Sequence, residues 1–535
     1  MKRCLAPLVA LLVAACGDGP GGDGDNDSGP RRVRLDGGAP DSGGQDARPG
    51  LPDTGPRDSG PIPDADFVPG RVDLILLSGT VVTPDETYEG EVLVEGSVIA
   101  CARPGTECSS GPKASGATRI RTHGVISPGL IDTHNHILFD IFDGDDWLPA
   151  RTYTNHNSWP NEARYGAMLD VKQCLEDAAQ GKPSWCPAHL DGEGDLKCEM
   201  DKWGELKGLI AGTTSIVGLP GTSSGCFSSL SRSVDTTHSG LGGDFIQTTS
   251  TFPPSRSTAD GVCANFADGD TRAYLVHVGE GTDSSALAEW ARLGAASTTP
   301  GCLYASQTTI THGTVFGTSE FSAMGTAGMK LTWSPASNVA LYGETTDIPA
   351  ALSAGVVVSL APDWSMGGSQ NLLDELRFAN GWDDSVWGDQ LSADDLVRMV
   401  TTNAALAISY DAQLGRIAEG YRADLAVFLG DPTRPYETIV AATPREVTLV
   451  LVDGVVLYGD SSLEGAAPPS PGCDQLDVCG ASKFVCTAKT DSSNKLDQRL
   501  DEIQAALESA LVELDGLTPS DGFNFAPLTP LVKCP

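Results

Sequence analysis

The sequence predicts an α/β fold in which a TIM-like (β/α)8 barrel carries a composite small β-sandwich formed from both flanks of the barrel. Two patterns lead to this prediction. Short β-branched runs separated by turn residues lie near both ends of the chain, as in antiparallel sheets. Between them, short apolar runs alternate with helical stretches, which is typical of a parallel barrel. A chain of 535 residues is long enough for both parts and for terminal additions.

The first 16 residues, MKRCLAPLVALLVAAC, have the pattern of an export signal. A basic start is followed by an apolar run and by small residues before Cys16. The ending LVAAC resembles the lipobox of bacterial lipoproteins, and this resemblance implies that Cys16 is lipidated after cleavage. A plain signal peptide is the alternative. We therefore expect an exported lipoprotein of the cell envelope, facing the periplasm or the cell surface.

Residues 17–70 are rich in Gly, Asp, Pro and Ser and nearly free of bulky apolar residues. Such a segment buries too little surface to offset its ordering entropy, so the composition predicts a disordered linker. The formal net charge of -36 argues against nucleic acid as a partner and against electrostatic attachment to anionic lipid. Contact with a membrane is then expected through the N-terminal lipid anchor only.

Fourteen cysteines indicate disulfide bonding. Without Cys4 and the proposed lipid-bearing Cys16, twelve remain, and an even number in an exported chain favours disulfides. Cys101 with Cys108 would close a short loop, whereas the remaining pairs cannot be deduced from the sequence. A structural zinc site is the competing interpretation, but the sequence contains no CxxC pair.

The domain boundaries follow from these patterns. The sandwich is predicted from residues 71–127 and 410–459, and the barrel from residues 128–409. Eight runs in the barrel segment are candidate strands: GVISPGLIDTHNH, AGTTSIVG, CFSSLSRSV, DFIQTTS, RAYLVHVGE, TTITHGT, GMKLTWSP and GVVVSLAPD. Catalytic groups of such barrels lie at the carboxyl ends of the strands, where several of these runs end in polar residues.

Four of these polar residues predict a metal site. His134 and His136 lie at positions i and i+2 of the first run, so both side chains point to one face of a strand. His277 ends an apolar run in the fifth candidate strand, and Asp363 follows the eighth. Three imidazoles and a carboxylate suit one divalent ion, zinc or alternatively ferrous iron, and leave one position open for water.

The motifs together resemble those of the amidohydrolase superfamily, in its cytosine deaminase and chlorohydrolase branch. The resemblance covers roughly residues 72–459 and rests on PGLIDTHNH, GTTS, HVGE, THG, SPASN, Asp363 and LGRIAEGYRADLAVF. It implies a mononuclear site with His134, His136, His277 and Asp363 as ligands. It also implies that Glu280 transfers protons and that His312 steadies the attacking water or the developing oxyanion.

The predicted activity is hydrolysis of a non-peptide carbon–nitrogen bond in a small molecule, either an amide or an aminated heterocycle. A bound metal lowers the pKa of water from about 15.7 to about 7, and Asp363 and Glu280 are placed to move its protons. Two-metal relatives carry a carboxylated lysine on the fourth strand, and DFIQTTS contains no lysine. A non-catalytic binding or scaffold lipoprotein on the same fold is the alternative.

Substrate contacts are predicted mainly in a long insertion after His136 that is rich in acidic and aromatic residues, since long loops are often functional. A disulfide-stapled surface loop is the alternative for this insertion. The candidate substrate residues are Trp147, Tyr153, His156, Trp159, Arg232 and Asn338. For Arg232 the competing interpretation is an ordinary structural ion pair.

Residues 460–535 are predicted to form an extension stapled by disulfides. Apolar residues at helical spacing indicate an amphipathic helix there: Leu496, Leu500, Ile503, Leu507, Leu511 and Leu514. Packing of this helix against the barrel is the default expectation, and a helix pair in a homodimer is the alternative.

Overall fold

The computed structural model describes residues 65–178, 181–219, 224–243, 245–250, 252–517 and 523–534. The predicted signal peptide with Cys16 and most of the predicted linker lie outside the described residues. Among the described residues no helix combines the length and the apolar character that crossing a membrane would require.

The N-terminal flank forms five strands. They are β1 (Asp66–Val68), β2 (Arg71–Val82), β3 (Thr87–Glu95), β4 (Val98–Pro104) and β5 (Ala117–Pro128), with the short helix α1 (Glu107–Ser110) between β4 and β5. Strand β1 pairs with β5, so residues 66–68 are part of the sheet. The predicted linker boundary at residue 70 is therefore too late, because three residues before it already make ladder hydrogen bonds.

Eight short strands follow, and each predicted barrel run contains one of them. They are β6 (Leu130–Asp132), β7 (Thr213–Ile216), β8 (Arg232–Ser233), β9 (Ile246–Thr249), β10 (Ala273–Val278), β11 (Thr308–His312), β12 (Lys330–Trp333) and β13 (Val357–Leu360). The helices of this region are α2 (Ala163–Leu175), α3 (Lys197–Ile210), α4 (Arg256–Asp268), α5 (Ser284–Ala295), α6 (Thr318–Ala327), α7 (Pro335–Tyr342), α8 (Ile348–Ser353), α9 (Leu372–Trp382), α10 (Ala393–Met399) and α11 (Thr402–Ala407).

These strands pair in parallel, in the order expected of a βα barrel. Strands β6 to β8 form a three-stranded sheet, and strands β9 to β13 form a five-stranded sheet. The first and last strands meet through a parallel bridge between Asn135 and Asp363. Within the described residues no ladder joins β8 to β9.

The C-terminal flank completes the first sheet. Its elements are β14 (Leu425–Phe428), α12 (Pro435–Ala441), β15 (Val447–Val452), β16 (Val455–Asp460), β17 (Asp474–Val478), β18 (Ala481–Val485) and α13 (Leu500–Leu517). Strand β14 pairs with β5, which unites both flanks in one ten-stranded sheet, as the composite domain predicts. Strand β18 pairs with β16, so the predicted boundary at residue 459 is wrong. Buried Phe484 and Val485 explain why the extension joins the sheet.

The predicted amphipathic helix is present as α13, although it begins at Leu500 rather than at Leu496. Its buried face includes Ile503, Leu507 and Leu511, and it packs against α2 and α3 of the barrel. The described residues contain six disulfides, including the predicted pair Cys101–Cys108. The others are Cys174–Cys186, Cys198–Cys226, Cys263–Cys302, Cys473–Cys486 and Cys479–Cys534.

Candidate metal centre

The predicted ligands meet at the carboxyl ends of three strands, β6, β10 and β13. His134 lies two residues after β6, His277 is the second-to-last residue of β10, and Asp363 lies three residues after β13. The ring centroids of His134 and His277 are 4.6 Å apart, and those of His134 and His136 are 5.0 Å apart. Side chains from distant parts of the sequence thus share one small volume.

The chain after β6 is held in place by Asp132. Its carboxylate accepts hydrogen bonds of 3.0 Å from the backbone N–H of His134 and from Nδ2 of Asn135. Complete burial raises the pKa of Asp132 well above its usual value. Because Asn135 bonds to this support, only the two histidines on either side of it face the cluster.

Two buried atoms of the cluster make no hydrogen bond and converge on each other. Nε2 of His134 and Oδ1 of Asp363 lie 2.8 Å apart without hydrogen-bond geometry, and Nε2 of His136 is 3.4 Å from the same oxygen. Buried polar atoms are nearly always hydrogen-bonded, so such orphans call for another partner. His134, His136 and His277 offer ligand atoms within 4.8 Å of one another, and His134, His312 and Asp363 form a second such group. Nitrogen donors and a carboxylate oxygen that fit a divalent metal are therefore gathered here.

The surroundings prepare these groups for metal binding. Nδ1 of His277 lies 3.3 Å from the carbonyl oxygen of Thr249, which leaves Nε2 for the site. Burial and the neighbouring imidazoles lower the pKa of His277 well below its usual value. Despite the cost of burial, the adjacent histidines hold the pKa of Asp363 far below its usual range. Neutral imidazoles and an ionised carboxylate are the states that bind metals.

Ser337 fixes the orientation of Asp363. Its hydroxyl donates to Oδ2 of the carboxylate at 2.5 Å, which turns Oδ1 toward the histidines. Asp363 and His312 have backbone φ angles of 71° and 73°, in the left-handed region that non-glycine residues seldom adopt. Such strain at two residues of one cluster is typical of functional sites.

Glu280 lies beside the cluster and is buried. Tyr342 donates a hydrogen bond of 2.6 Å to its Oε1, and Trp159 donates one of 3.0 Å to the Tyr342 hydroxyl. Burial raises the pKa of Glu280 to about 7. A carboxyl group with this pKa exchanges protons near neutral pH, as general acid–base catalysis requires.

His312 faces Glu280 across the site. Its Nε2 is 3.9 Å from Oε2 of Glu280, and its Nδ1 is 3.1 Å from Nδ2 of Asn338. Burial lowers the pKa of His312 to about 3, so the ring is neutral. Asn338 is fully buried behind this ring, where its amide contacts His312 and Thr345 rather than an open substrate position.

The predicted substrate residues of the insertion differ in how directly they contact the site. Trp159 is linked to Glu280 through its hydrogen bond to Tyr342, and Nε2 of His156 lies 2.7 Å from Oε1 of Glu289. Trp147 and Tyr153 both donate to Glu162. Among the predicted contacts, Trp159 is therefore linked to the carboxylate of Glu280, and the backbone N–H of His156 donates to the backbone carbonyl oxygen of Glu280 at 3.3 Å. The ring of Trp364, which the sequence patterns did not single out, lies 5.5 Å from that of His136 in a tilted arrangement and 5.3 Å edge-on from that of Trp159.

Arg232 does not join the site. Its guanidinium makes two hydrogen bonds of 2.9 Å to Asp424 and one of 3.0 Å to Asp453. The backbone carbonyl of Asp424 accepts from Gly129, at the amino end of β6, so this ion pair lies at the opposite end of the strands. The prediction of a substrate contact at Arg232 is corrected, because the charge is already neutralised within the fold.

Sequence analysis missed Ser337, Tyr342 and Thr345. The first two lie on α7 with Asn338, and the SPASN motif that drew attention to Asn338 already contains Ser337. Tyr342 lies four residues beyond Asn338, one helical turn away, which is a signal that helical spacing offers. Lys330, at the start of β12, donates to the carbonyl oxygen of Ser306, in keeping with a structural role.

Comparison with known proteins indicates the class of enzyme that this chain resembles. Residues 252–457 match the amidohydrolase family. Together with the deaminase relatives described next, this match bears out the predicted hydrolase that acts on carbon–nitrogen bonds. The prediction of an enzyme, rather than of a non-catalytic scaffold, is thereby confirmed.

Among curated proteins, the chain is similar to 5-methylthioadenosine/S-adenosylhomocysteine deaminase of Symbiobacterium thermophilum. The two are 25% identical over 426 residues, which cover 72% of this chain and 94% of the relative. This chain is also 24% identical to 5'-deoxyadenosine deaminase of Methanothermobacter thermautotrophicus over 431 residues, which cover 73% of this chain and 94% of that relative.

Solved structures share the fold. An adenosine deaminase from Xanthomonas campestris with bound zinc aligns with a TM-score of 0.51 at 16% identity, covering 71% of this chain and 92% of that one. Atrazine chlorohydrolase from Arthrobacter aurescens with zinc aligns with a TM-score of 0.52 at 18% identity, covering 74% and 96%.

Proposed function

We propose that the protein is a zinc-dependent deaminase that replaces the amino group of a small aminated heterocycle with oxygen. The observation that carries this proposal is the pair of orphaned buried atoms, Nε2 of His134 and Oδ1 of Asp363, beside the proton-exchanging carboxyl group of Glu280. The relatives named as adenosine-type deaminases support an aminated purine as the first substrate to test.

His134, His136, His277 and Asp363 would hold the metal. When bound, it supplies a water whose pKa falls from about 15.7 to about 7. Zinc is the proposed ion because three nitrogen donors and one carboxylate suit it, with ferrous iron as the alternative. DFIQTTS, which contains β9, has no lysine to bridge a second ion, which supports one metal per chain.

The side chains of the site then divide the proton transfers. Asp363 accepts a proton from the attacking water, and Glu280 in its protonated form donates to the heterocycle, so that the ring carbon becomes tetrahedral. His312 donates a hydrogen bond to the new oxygen. Asp363 then passes its proton to the amino group, and the hydroxyl proton of the tetrahedral carbon goes to the Glu280 carboxylate. Collapse of this carbon breaks the carbon–nitrogen bond and releases ammonia, so that amine plus water yields carbonyl compound plus ammonia.

We also propose that the enzyme is an exported lipoprotein anchored through Cys16. The basic, apolar and small-residue pattern of residues 1–16 supports export. The six disulfides are in keeping with an oxidising compartment. Radiolabelled palmitate incorporation into the full chain, and its loss in Cys16→Ser, tests this proposal.

The activity is tested with the disulfide-intact protein. Metal content is measured by mass spectrometry, and release of ammonia is screened over aminated purines, pyrimidines and triazines, with cyclic amides as the comparison set. We expect one zinc per chain and mass-verified deamination of at least one heterocycle. His134→Ala and His277→Ala are expected to lose both the metal and the activity.

Glu193→Gln, on the exposed surface, serves as the matched control and is expected to keep both properties. Full activity in protein stripped of metal would contradict the proposed chemistry. Turnover of cyclic amides without any deamination would contradict the proposed substrate class and leave the metal site standing.

A further inference from the structure

A chain of hydrogen bonds runs from the barrel wall to His312. Nε1 of Trp333 lies 2.7 Å from the Thr345 hydroxyl, which lies 3.3 Å from Oδ1 of Asn338. Nδ2 of Asn338 then lies 3.1 Å from Nδ1 of His312. Trp333, Asn338 and His312 are at most 1% exposed, whereas Thr345 is partly exposed, so the bond between Asn338 and His312 is the one fully shielded from water.

The direction of the chain follows from its first member. An indole N–H only donates, so the Thr345 hydroxyl must accept from Trp333 and has its own proton left for Asn338. This proton fixes the amide oxygen of Asn338 as the acceptor and turns the amide N–H toward His312. Nδ1 of His312 therefore accepts, and the single proton of the neutral ring resides on Nε2.

We propose that Trp333, Thr345 and Asn338 are positioning residues that set the tautomer of His312 and make it a hydrogen-bond donor to the reacting oxygen. His312 also lies near His134 and Asp363 in a second group of potential ligands. A protonated Nε2 has no lone pair for a metal. The relay thereby assigns His134, His136 and His277 to the metal and keeps His312 free for the substrate.

This inference rests on the proposed function for its catalytic consequence, whereas the tautomer itself can be measured without turnover. Histidine labelled with ¹⁵N is incorporated into the metal-free, disulfide-intact protein, and long-range ¹H–¹⁵N spectra are recorded at alkaline pH. The chain has eight histidines, so His312→Gln identifies the signals of His312. We expect the pattern of a ring protonated at Nε2, which persists after addition of zinc.

Asn338→Asp reverses the relay at nearly constant shape, because a carboxylate only accepts hydrogen bonds. We expect the proton of His312 to move to Nδ1. We also expect kcat on the substrate found by the screen to fall about 10²–10³-fold with little change in KM, as when an oxyanion-stabilising donor is removed. Thr345→Val is expected to give a mixture of tautomers. Asn371→Asp, at the N-cap of α9, is the matched control and should leave the spectra of His312 unchanged.

An Nδ1-protonated His312 in the wild type, or an unchanged pattern in Asn338→Asp, would overturn the proposal. If Asn338→Asp does not fold, the wild type and Thr345→Val still decide. Absence of turnover with the expected tautomer would refute the proposed function and leave the relay intact.

Discussion

Two buried polar clusters lie at opposite ends of the barrel strands, and they differ in how their polar atoms are satisfied. At the amino end, Arg232 makes hydrogen bonds to Asp424, Asp453 and Ser239, and Asp424 also accepts from the backbone of Asp453. At the carboxyl end, the neighbouring atoms of His134 and Asp363 have no hydrogen-bond partner.

This difference separates a structural cluster from a functional one. Both clusters contain buried ionisable side chains, so burial alone does not identify the site. A cluster that satisfies all of its own donors and acceptors has nothing left to offer a ligand, whereas orphaned atoms that converge on one point keep their binding capacity. The comparison leads to four predictions.

Glu280→Gln is expected to have the largest effect. Glutamine keeps the acceptor for Tyr342 but cannot transfer a proton, so kcat should fall about 10²–10⁴-fold while the metal content and the melting temperature stay unchanged. Steady-state kinetics on the substrate found by the screen measures the effect, with Glu193→Gln as the surface control. Unchanged turnover would show that Glu280 is not the proton donor.

Arg232→Met should act on stability alone. It leaves the carboxylate of Asp424 buried without its cation, which costs about 3–5 kcal/mol in the free energy of unfolding. Denaturant unfolding measures this loss, and zinc content of the folded fraction should remain at one per chain. The double variant Arg232→Met/Asp424→Asn should recover part of the stability. A loss of zinc in folded Arg232→Met would mean that the two clusters are coupled.

Ser337→Ala should weaken metal binding by about 10–100-fold, which is typical when a residue that orients a ligand is removed. The variant loses the hydrogen bond to Oδ2 of Asp363, so the carboxylate is free to turn. Zinc affinity is measured by competition with a chelator. Ser334→Ala is the matched control, since the hydroxyl of Ser334 is buried without a hydrogen-bond partner in the described structure. Equal affinities in both variants would contradict this role of Ser337.

Glu375 offers the most gradual test, because its effect is spread over several pH units. Burial raises its pKa to about 8, above its unfolded value, so the folded state holds the proton more tightly. Its contribution to stability is therefore present at acid pH and is lost as the pH rises from about 4.5 to about 8, by at most about 1.4 kcal/mol per pH unit.

Glu375→Gln should flatten this part of the stability profile in urea unfolding of the metal-free protein, and Glu193→Gln should not. Since Oε2 of Glu375 is also buried without a hydrogen-bond partner, the result tells whether an orphaned oxygen marks a protonated carboxyl group rather than a ligand. An unchanged slope in Glu375→Gln would assign the pH dependence to other buried carboxyl groups such as Asp146.

The strands and the ligand residues could be predicted because both depend on local patterns. Apolar runs of strand length predicted β10 and β13, and the spacing of His134 and His136 predicted a shared face. The limits of the ten-stranded sheet could not be predicted in this way. The pairing of β18 with β16 depends on a partner more than twenty residues away, and nothing within ASKFV specifies it.

The sequence by itself determined the chemistry that this protein has available: three histidines, an aspartate and a glutamate at the carboxyl ends of three barrel strands. Only the tertiary structure decided how each group is used. It placed Arg232 in an ion pair at the other end of the barrel, and it brought Ser337 and Asn338 behind Asp363 and His312. Ligand identity follows from residue type and spacing, whereas orientation and tautomer follow from hydrogen bonds between segments that the chain brings together only when it folds.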